Sequence, residues 1–209
     1  MFTGLIEEVG IIERKSQNGG KTFFTIRCFH ILKDSKIGSS VACDGICLTV
    51  TKINNNSIEV QVMNETLLKT TATYWERGRK INLERAMQAN GRMDGHFVLG
   101  HIDTIAMIKS RGYERNTLYV EFDLDEKFYP LVIAQGSIAV NGISLTVARL
   151  TDYTFSVAFI GHTLENTNIK DSKTYVNLEF DVVGKYIQRN LERYEDKGHD
   201  QDWLEDNGF

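Results

Sequence analysis

A seven-residue phrase, DGICLTV at residues 44–50, returns as NGISLTV at residues 141–147. Five of the seven letters are identical, and Cys47 of the first copy becomes Ser144 in the second. The phrase is one of four matching blocks. MFTGLIEEVGII from Met1 aligns with FVLGHIDTIAMI from Phe97, pairing Gly4 with Gly100, Ile6 with Ile102 and Glu7 with Asp103. MNETLLKTT (63–71) aligns with IGHTLENTN (160–168), and INLERA (81–86) with VNLEFD (176–181). Gly45 and Thr66 lie 21 residues apart, as do Gly142 and Thr163. Four blocks in one order at nearly one spacing make this a tandem repeat. Whatever one unit folds into, the chain contains twice.

Each unit reads as strands. TFFTIRCF, SVAC, ICLTVTKI, SIEVQVM and KINLERA are rich in β-branched and aromatic residues and alternate in part. The second copy offers TLYVEFDL, SIAV, ISLTVARL, TFSVAFI and TYVNLEFDV. Asp44-Gly45 and Asn141-Gly142 are hairpin turns of type I′, in which both central residues need positive φ. With its opening strand, each copy holds about six short strands, and closure into a barrel removes the exposed edges. The expected fold class is therefore all-β: two similar six-stranded antiparallel β-barrels in tandem plus a C-terminal α-helix. The polar stretch Gln88–Asp94 marks the linker, dividing the chain into barrels over 1–91 and 92–182, with helix and tail over 183–209. The helix follows from Val183, Tyr186, Ile187 and Leu191, spaced close to a helical period. Its apolar stripe must bury against its own barrel or another subunit. The final DQDWLEDNGF is acidic and is expected to fray.

The balance of 42% hydrophobic and 25% charged residues is that of a globular protein. A formal net charge of −4 argues against a nucleic-acid partner, which calls for a basic excess. No apolar run approaches the ~18 residues of a membrane span, and MFTGLIEEVG does not read as a secretory signal. Cys28, Cys43 and Cys47 are odd in number and form no C-x-x-C pair, so neither a disulfide framework nor a metal site is expected. The expected compartment is the reducing cytoplasm.

Candidate chemistry sits on the repeated phrase. Residues i and i+2 of a strand share a face, so Cys47 projects with Thr49 and Ser144 with Thr146, while Leu48 and Leu145 turn the other way. If the leucines fill the barrels, each Cys/Ser–Thr pair faces a pocket. GHFVLGHID carries His96 and His101. Five residues apart on a strand, they would face opposite ways, which argues against a shared metal. His96 reads as structural; His101, in the place Leu5 holds in the first repeat, is the candidate for proton transfer. His162 stands opposite Glu65 in the alignment, on a polar rim. Asp181 ends the last strand where the first repeat has Ala86; it is a candidate for asymmetric chemistry or an N-cap.

Taken together, MFTG, DGICLTV, MNETL, GHFVLGHID, NGISLTV and VNLEFD resemble the riboflavin synthase family, from Met1 to about Leu191. The resemblance implies a double barrel with a C-terminal helix, assembled as a homotrimer through that helix. It implies transfer of a four-carbon unit between two molecules of 6,7-dimethyl-8-ribityllumazine, giving riboflavin and 5-amino-6-ribitylamino-pyrimidinedione, with no cofactor. It also points to lumazine synthase as a partner. By residue, it implies one lumazine site at Gly4, Leu5, Ile6, Cys47, Leu48, Thr49, Gln61, Val62, Met63, Asn64, Glu65 and Thr66. The other would use Gly100, His101, Ile102, Ser144, Leu145, Thr146, Ala158, Phe159, Ile160, Gly161, His162 and Thr163. Catalytic roles fall to Cys47, Thr49, His101 and Ser144, with Thr146 and Asp181 as further candidates. Each barrel would hold one lumazine, and the Cys47/Ser144 exchange would make the two sites unlike. Gln135 is a departure, since the family often has Lys there; so is Leu99, where it often has Ser.

Two other readings predict different residues. A lumazine- or flavin-binding protein without catalysis keeps the double barrel but loses the polar set in one copy, whereas both copies keep it here. A β-barrel that binds single-stranded nucleic acid needs a basic, aromatic face, which this acidic chain lacks.

Overall fold

The computed structural model describes residues 1–195; the acidic end, where fraying is expected, lies outside the described residues. Six strands form the first barrel: β1 (Glu8–Asn18), β2 (Lys21–Arg27), β3 (Ser40–Cys43), β4 (Ile46–Asn54), β5 (Ser57–Val62) and β6 (Lys80–Arg85). The second is built from β7 (Thr104–Glu114), β8 (Thr117–Asp123), β9 (Ser137–Val140), β10 (Ile143–Leu150), β11 (Thr154–Phe159) and β12 (Tyr175–Phe180). Strand order around the first barrel is β1-β2-β5-β4-β3-β6, and the second closes in the equivalent order. All neighbours are antiparallel.

Register breaks recur at matching places: between Ile12 and Arg14 in β1 and between Ile108 and Ser110 in β7, then between Val50 and Lys52 in β4 and between Val147 and Arg149 in β10. A bulge bends and twists its strand, so both copies curve into closure at the same points. The opening strand begins at Glu8 rather than at the N-terminus; before it, Phe2 makes only a single bridge to Val98. Two short helices, α1 (Asn64–Lys69) and α2 (Gly161–Asn166), follow the fifth strand of each barrel, where no helix is read from the strand pattern. A third helix, α3 (Val182–Glu195), follows β12.

Leu48 and Leu145 point inward as their parity requires, and each is buried in its own barrel core. Phe24 meets Trp75 edge-on at 5.2 Å in the first core, and Phe122 stacks on Phe155 at 5.2 Å in the second. A third, small cluster joins the barrels: Phe2, Ala42, Val98 and Ala139, with Cys47 against it.

The hairpin turns meet back to back, each against the other. Asp44 and Gly45 have φ of 46° and 79°, Asn141 and Gly142 of 47° and 77°, as type I′ turns require. A Cβ on Gly45 would lie 2.7 Å from the Gly142 nitrogen, and one on Gly142 equally close to that of Gly45, so only glycine fits either place.

Around this contact, polar groups exchange across the barrels. Asn82 Nδ2 donates to the Asn141 carbonyl at 3.0 Å, and Asn177 Nδ2 to the Asp44 carbonyl at 2.8 Å. Asn82 Oδ1 accepts from Asn168 N–H, and Asn177 Oδ1 from Thr71 N–H, both at 2.7 Å. Asp44 breaks the symmetry. Its Oδ1 accepts from Asn82 N–H and Asn168 Nδ2, while Arg79 lies 3.7 Å from Oδ2, an ion pair too long for a hydrogen bond. Burial raises the carboxyl to about 6, with Arg79 and the hydrogen bonds pulling the other way.

Candidate functional site

The residues that precede each barrel's first strand cross to the other barrel. Gly4, before β1, lies against Ser144 of the second barrel: its carbonyl accepts Ser144 N–H at 2.8 Å, and Ile6 packs on that barrel's core. Gly100, before β7, lies against Cys47 of the first barrel: its carbonyl accepts Cys47 N–H at 2.9 Å, and Ile102 packs on the first core. Both glycines have positive φ, 79° and 81°. A Cβ on either would sit 2.6 Å from Ser144 Cβ or 2.5 Å from Cys47 Cβ.

This corrects the expected grouping. Gly4 and Ile6 lie with the Ser144 barrel, and Gly100, His101 and Ile102 with Cys47, while Leu5 lines a cleft with Glu84, Arg85 and Met87 of its own repeat. Each half-site combines the hairpin strand of one repeat with the crossing arm of the other.

At the Cys47 half-site a cleft of about 510 Å³ is lined by Lys21, Cys47, His101 and Ile102, together with Met63, Asn64, Glu65 and Thr66 at the start of α1. Cys47 is half-buried, whereas Cys28 and Cys43 are buried. Burial raises the Cys28 thiol to about 12 and pushes Cys43 well above its ordinary value, so Cys47 is the reachable thiol of the three. The cleft therefore brings together a thiol, an imidazole, a carboxylate and an ammonium group.

The Ser144 half-site has its own histidine. His96 Nδ1 lies 2.7 Å from Ser144 Oγ, and His96 N–H donates to the Thr3 carbonyl. A buried, hydrogen-bonded His96 fits the structural reading, and its contact with Ser144 adds a second candidate role. Its segment is no strand, apart from the bridge at Val98, so strand parity does not apply. Burial lowers the His96 pKa, with Asp181 acting in the opposite direction. A neutral imidazole carrying its proton on Nε2 can accept the Ser144 hydroxyl proton. Ser144 thus touches a histidine and Cys47 shares its cleft with one, and both histidines come from one short segment of the second repeat.

Other expected residues fall into three groups. Leu48, Val62, Leu145 and Phe159 are buried in the barrel cores, so their side chains do not face a ligand. Thr49 and Thr146 are on the outer face, as expected, with Thr49 paired to Gln61 across the sheet; neither Thr49 nor Gln61 lines the cleft. Ile160, Gly161 and His162 are exposed around the start of α2, with Thr163 and Ala158 half-buried beside them. Gln135 is exposed with a φ of 65°, its N–H bonded to the Val147 carbonyl. Asp181 Oδ1 accepts Val183 N–H at 2.8 Å, the N-cap of α3.

Two buried acids were not read from the sequence. Glu84 Oε1 accepts Thr3 N–H and Oγ1–H, and Oε2 accepts Gly4 N–H. Glu179 accepts Leu99 N–H and Gly100 N–H. Burial raises both carboxyls and these bonds hold them down. The clue was the Asn-Leu-Glu shared by INLERA and VNLEFD, polar letters repeated within strands. A second cleft of about 590 Å³ lies between the barrels beside the stacked Tyr74 and Tyr175, and none of the Cys, Ser or His residues above lines it.

The lumazine binding domain family matches twice, over residues 3–86 and 99–181. The riboflavin synthase of Bacillus subtilis (strain 168) is 42% identical over 216 residues, covering 100% of both chains. That of Actinobacillus pleuropneumoniae is 42% identical over 193 residues, covering 91% of this chain and 90% of its own. Among solved structures, LumP complexed with riboflavin superposes with a TM-score of 0.79 at 23% identity, over 86% of this chain and 99% of that one. LumP complexed with 6,7-dimethyl-8-(1'-D-ribityl) lumazine does so with a TM-score of 0.77 at 22% identity and the same coverage, a likeness of fold.

Proposed function

The chain belongs to the riboflavin synthase family of lumazine-binding proteins, and on that premise we propose how its two half-sites carry the reaction. The enzyme is a transferase of riboflavin biosynthesis. Two molecules of 6,7-dimethyl-8-ribityllumazine exchange a four-carbon unit to give riboflavin and 5-amino-6-ribitylamino-pyrimidinedione. The two products together contain all the atoms of the two substrates, so no external oxidant or reductant enters.

The observation that carries the reading is two like but unequal places, one where Cys47 and His101 line a single cleft and one where Ser144 bonds His96. One substrate must lose a proton from its C7 methyl, and its partner must accept a nucleophile at C7. Groups that differ in acidity and nucleophilicity at matched places suit these unequal tasks. Acid–base help of this kind contributes roughly 10²–10⁴-fold. Holding two flat rings in register removes roughly 7–11 kcal/mol of barrier, so positioning dominates and single side-chain deletions slow turnover rather than abolish it.

Met63 is exposed at the rim of the Cys47 cleft, and Ile160, its counterpart in the second repeat, is also exposed. Val183, Tyr186, Ile187 and Leu191 of α3 are exposed as well. A homotrimer held through α3 would cover these surfaces and bring the first barrel of one subunit against the second barrel of the next. Three free cysteines fit a cytoplasmic setting. The direct test is to mix the purified chain with 6,7-dimethyl-8-ribityllumazine alone and follow flavin absorbance. One riboflavin should form per two lumazines consumed. Tight binding without turnover would make this chain a lumazine carrier instead.

A further inference from the structure

Each crossing arm is fastened at both ends to the last strand of its own barrel, and two residues span between the fastenings. In the second repeat, Leu99 N–H and Gly100 N–H donate to the Glu179 carboxylate at 2.7 and 2.9 Å. Beyond the span, Asp103 N–H donates to the Leu178 carbonyl at 2.9 Å, and Asp103 Oδ2 accepts Phe180 N–H at 2.9 Å. His101 and Ile102 are the span. The first repeat does the same: Thr3 and Gly4 are held by Glu84, Glu7 N–H donates to the Leu83 carbonyl, and Glu7 Oε1 accepts Arg85 N–H. Leu5 and Ile6 are its span.

Gly100 is the joint of this device. Its N–H is tied to Glu179 of the second barrel, and its carbonyl to Cys47 N–H of the first. Nothing in the barrel core requires a carboxylate at this place, and Glu179 is only 2% exposed. Two N–H groups converge on it, and only a group that accepts on both oxygens serves both. The charge costs desolvation, which the charge-assisted bonds offset in part.

We propose that Glu179 is a positioning residue for the Cys47 half-site, acting through Gly100 to set His101 beside Cys47, and that Glu84 does the same through Gly4 at the Ser144 half-site. This rests on the reading of Cys47 and His101 as part of the reacting pocket. The placement of the arm, however, can be measured without turnover.

The test uses Glu179→Gln and Glu84→Gln in the full chain. Glutamine turns an NH₂ group toward one of the two N–H donors, so one fastening is lost. In E179Q, Gly100 loosens against Cys47, and iodoacetamide should alkylate Cys47 several-fold faster, located by peptide mass. The buried Cys28 and Cys43 serve as the internal background. In E84Q, Cys47 alkylation should stay at the wild-type rate. With 6,7-dimethyl-8-ribityllumazine, kcat of E179Q should fall roughly 10–100-fold, the scale of a small misplacement, with KM changed by less than about threefold.

Should E179Q fail to fold, Glu179→Asp, which keeps the charge and withdraws it by one methylene, takes its place with the same readouts. Wild-type alkylation in the folded variant, an equal rise in E84Q, or an unchanged kcat beside faster alkylation would each overturn the proposal. If the wild-type chain itself does not convert the lumazine, the proposed function falls, and alkylation alone decides whether Glu179 sets the arm.

Discussion

Gly100 and Cys47 come from different repeats, and the carbonyl of the first accepts the N–H of the second at 2.9 Å. Gly4 and Ser144 repeat the bond at 2.8 Å. Each arm therefore packs on the opposite barrel, and a change on one arm should be felt there.

Gly100→Ala tests that contact. Alanine at a φ of 81° is strained, and its methyl would lie 2.5 Å from Cys47 Cβ. The expected cost is about 2–4 kcal/mol, from backbone strain and overpacking together, read as a lower denaturant midpoint. Gly4→Ala should behave alike through Ser144. Gly112, with open space around the Cβ position, should tolerate alanine.

Cys47→Ser and His101→Ala should each slow riboflavin formation by roughly 10–10³-fold while leaving assembly unchanged, since acid–base groups carry only part of the barrier. Full activity in both variants would remove Cys47 and His101 from the chemistry.

His96→Gln separates hydrogen bonding from proton transfer at Ser144. Burial lowers the His96 pKa, with Asp181 opposing, so the neutral form persists to a lower pH than in a free histidine. Acidification must eventually protonate it and break its role as acceptor. The acid limb of the wild-type kcat should lie at a lower pH than an ordinary histidine would give. In His96→Gln that acid limb should vanish at a lower plateau, as a pH–rate profile would record.

Asp44 couples stability to pH. Its folded pKa, about 6, stands above the ordinary aspartate value of 3.8. A raised carboxyl binds its proton more tightly when folded, so its stabilising share is full below about pH 3.8 and is lost as pH rises through 6. The change is about 3 kcal/mol across that window, at 1.36 kcal/mol per pKa unit. Glu84 and Glu179 are raised as well and act in the same direction. Asp44→Asn, which copies the Asn141 of the second repeat, should flatten the wild-type curve by Asp44's share. Denaturant titrations at pH 4 and pH 7 would show whether the difference between the two proteins changes with pH.

Ile187→Lys with Leu191→Lys tests assembly through α3. Both side chains are exposed on the single chain, at 56% and 58%. In sedimentation the proposed trimer should give way to monomer, and activity should fall with it. A trimer that survives both charges would place the subunit contact elsewhere.

The two barrels, their type I′ turns and the inward leucines were legible because each depends on neighbours a few residues apart. Positive φ at Asp44-Gly45 and Asn141-Gly142 is a steric demand of a two-residue turn, and the parity of Leu48 and Leu145 follows from the pleat. The helix α3 announced itself by its apolar spacing. Strand parity failed at His96 because residues 95–103 run as an arm and not as a strand. Glu84 and Glu179 passed unnoticed because a strand glutamate usually faces water.

Local chemistry thus determined what each half of the chain becomes and which strand bears Cys47 or Ser144. Which arm meets which barrel belonged to the tertiary structure. The two repeats are so alike that either arm carries letters suited to either barrel, and no nearby residue discriminates between them. The choice rests on bonds between residues far apart in the chain: Glu84 and Glu179 fasten the arms, and Gly45 packs against Gly142 between the barrels.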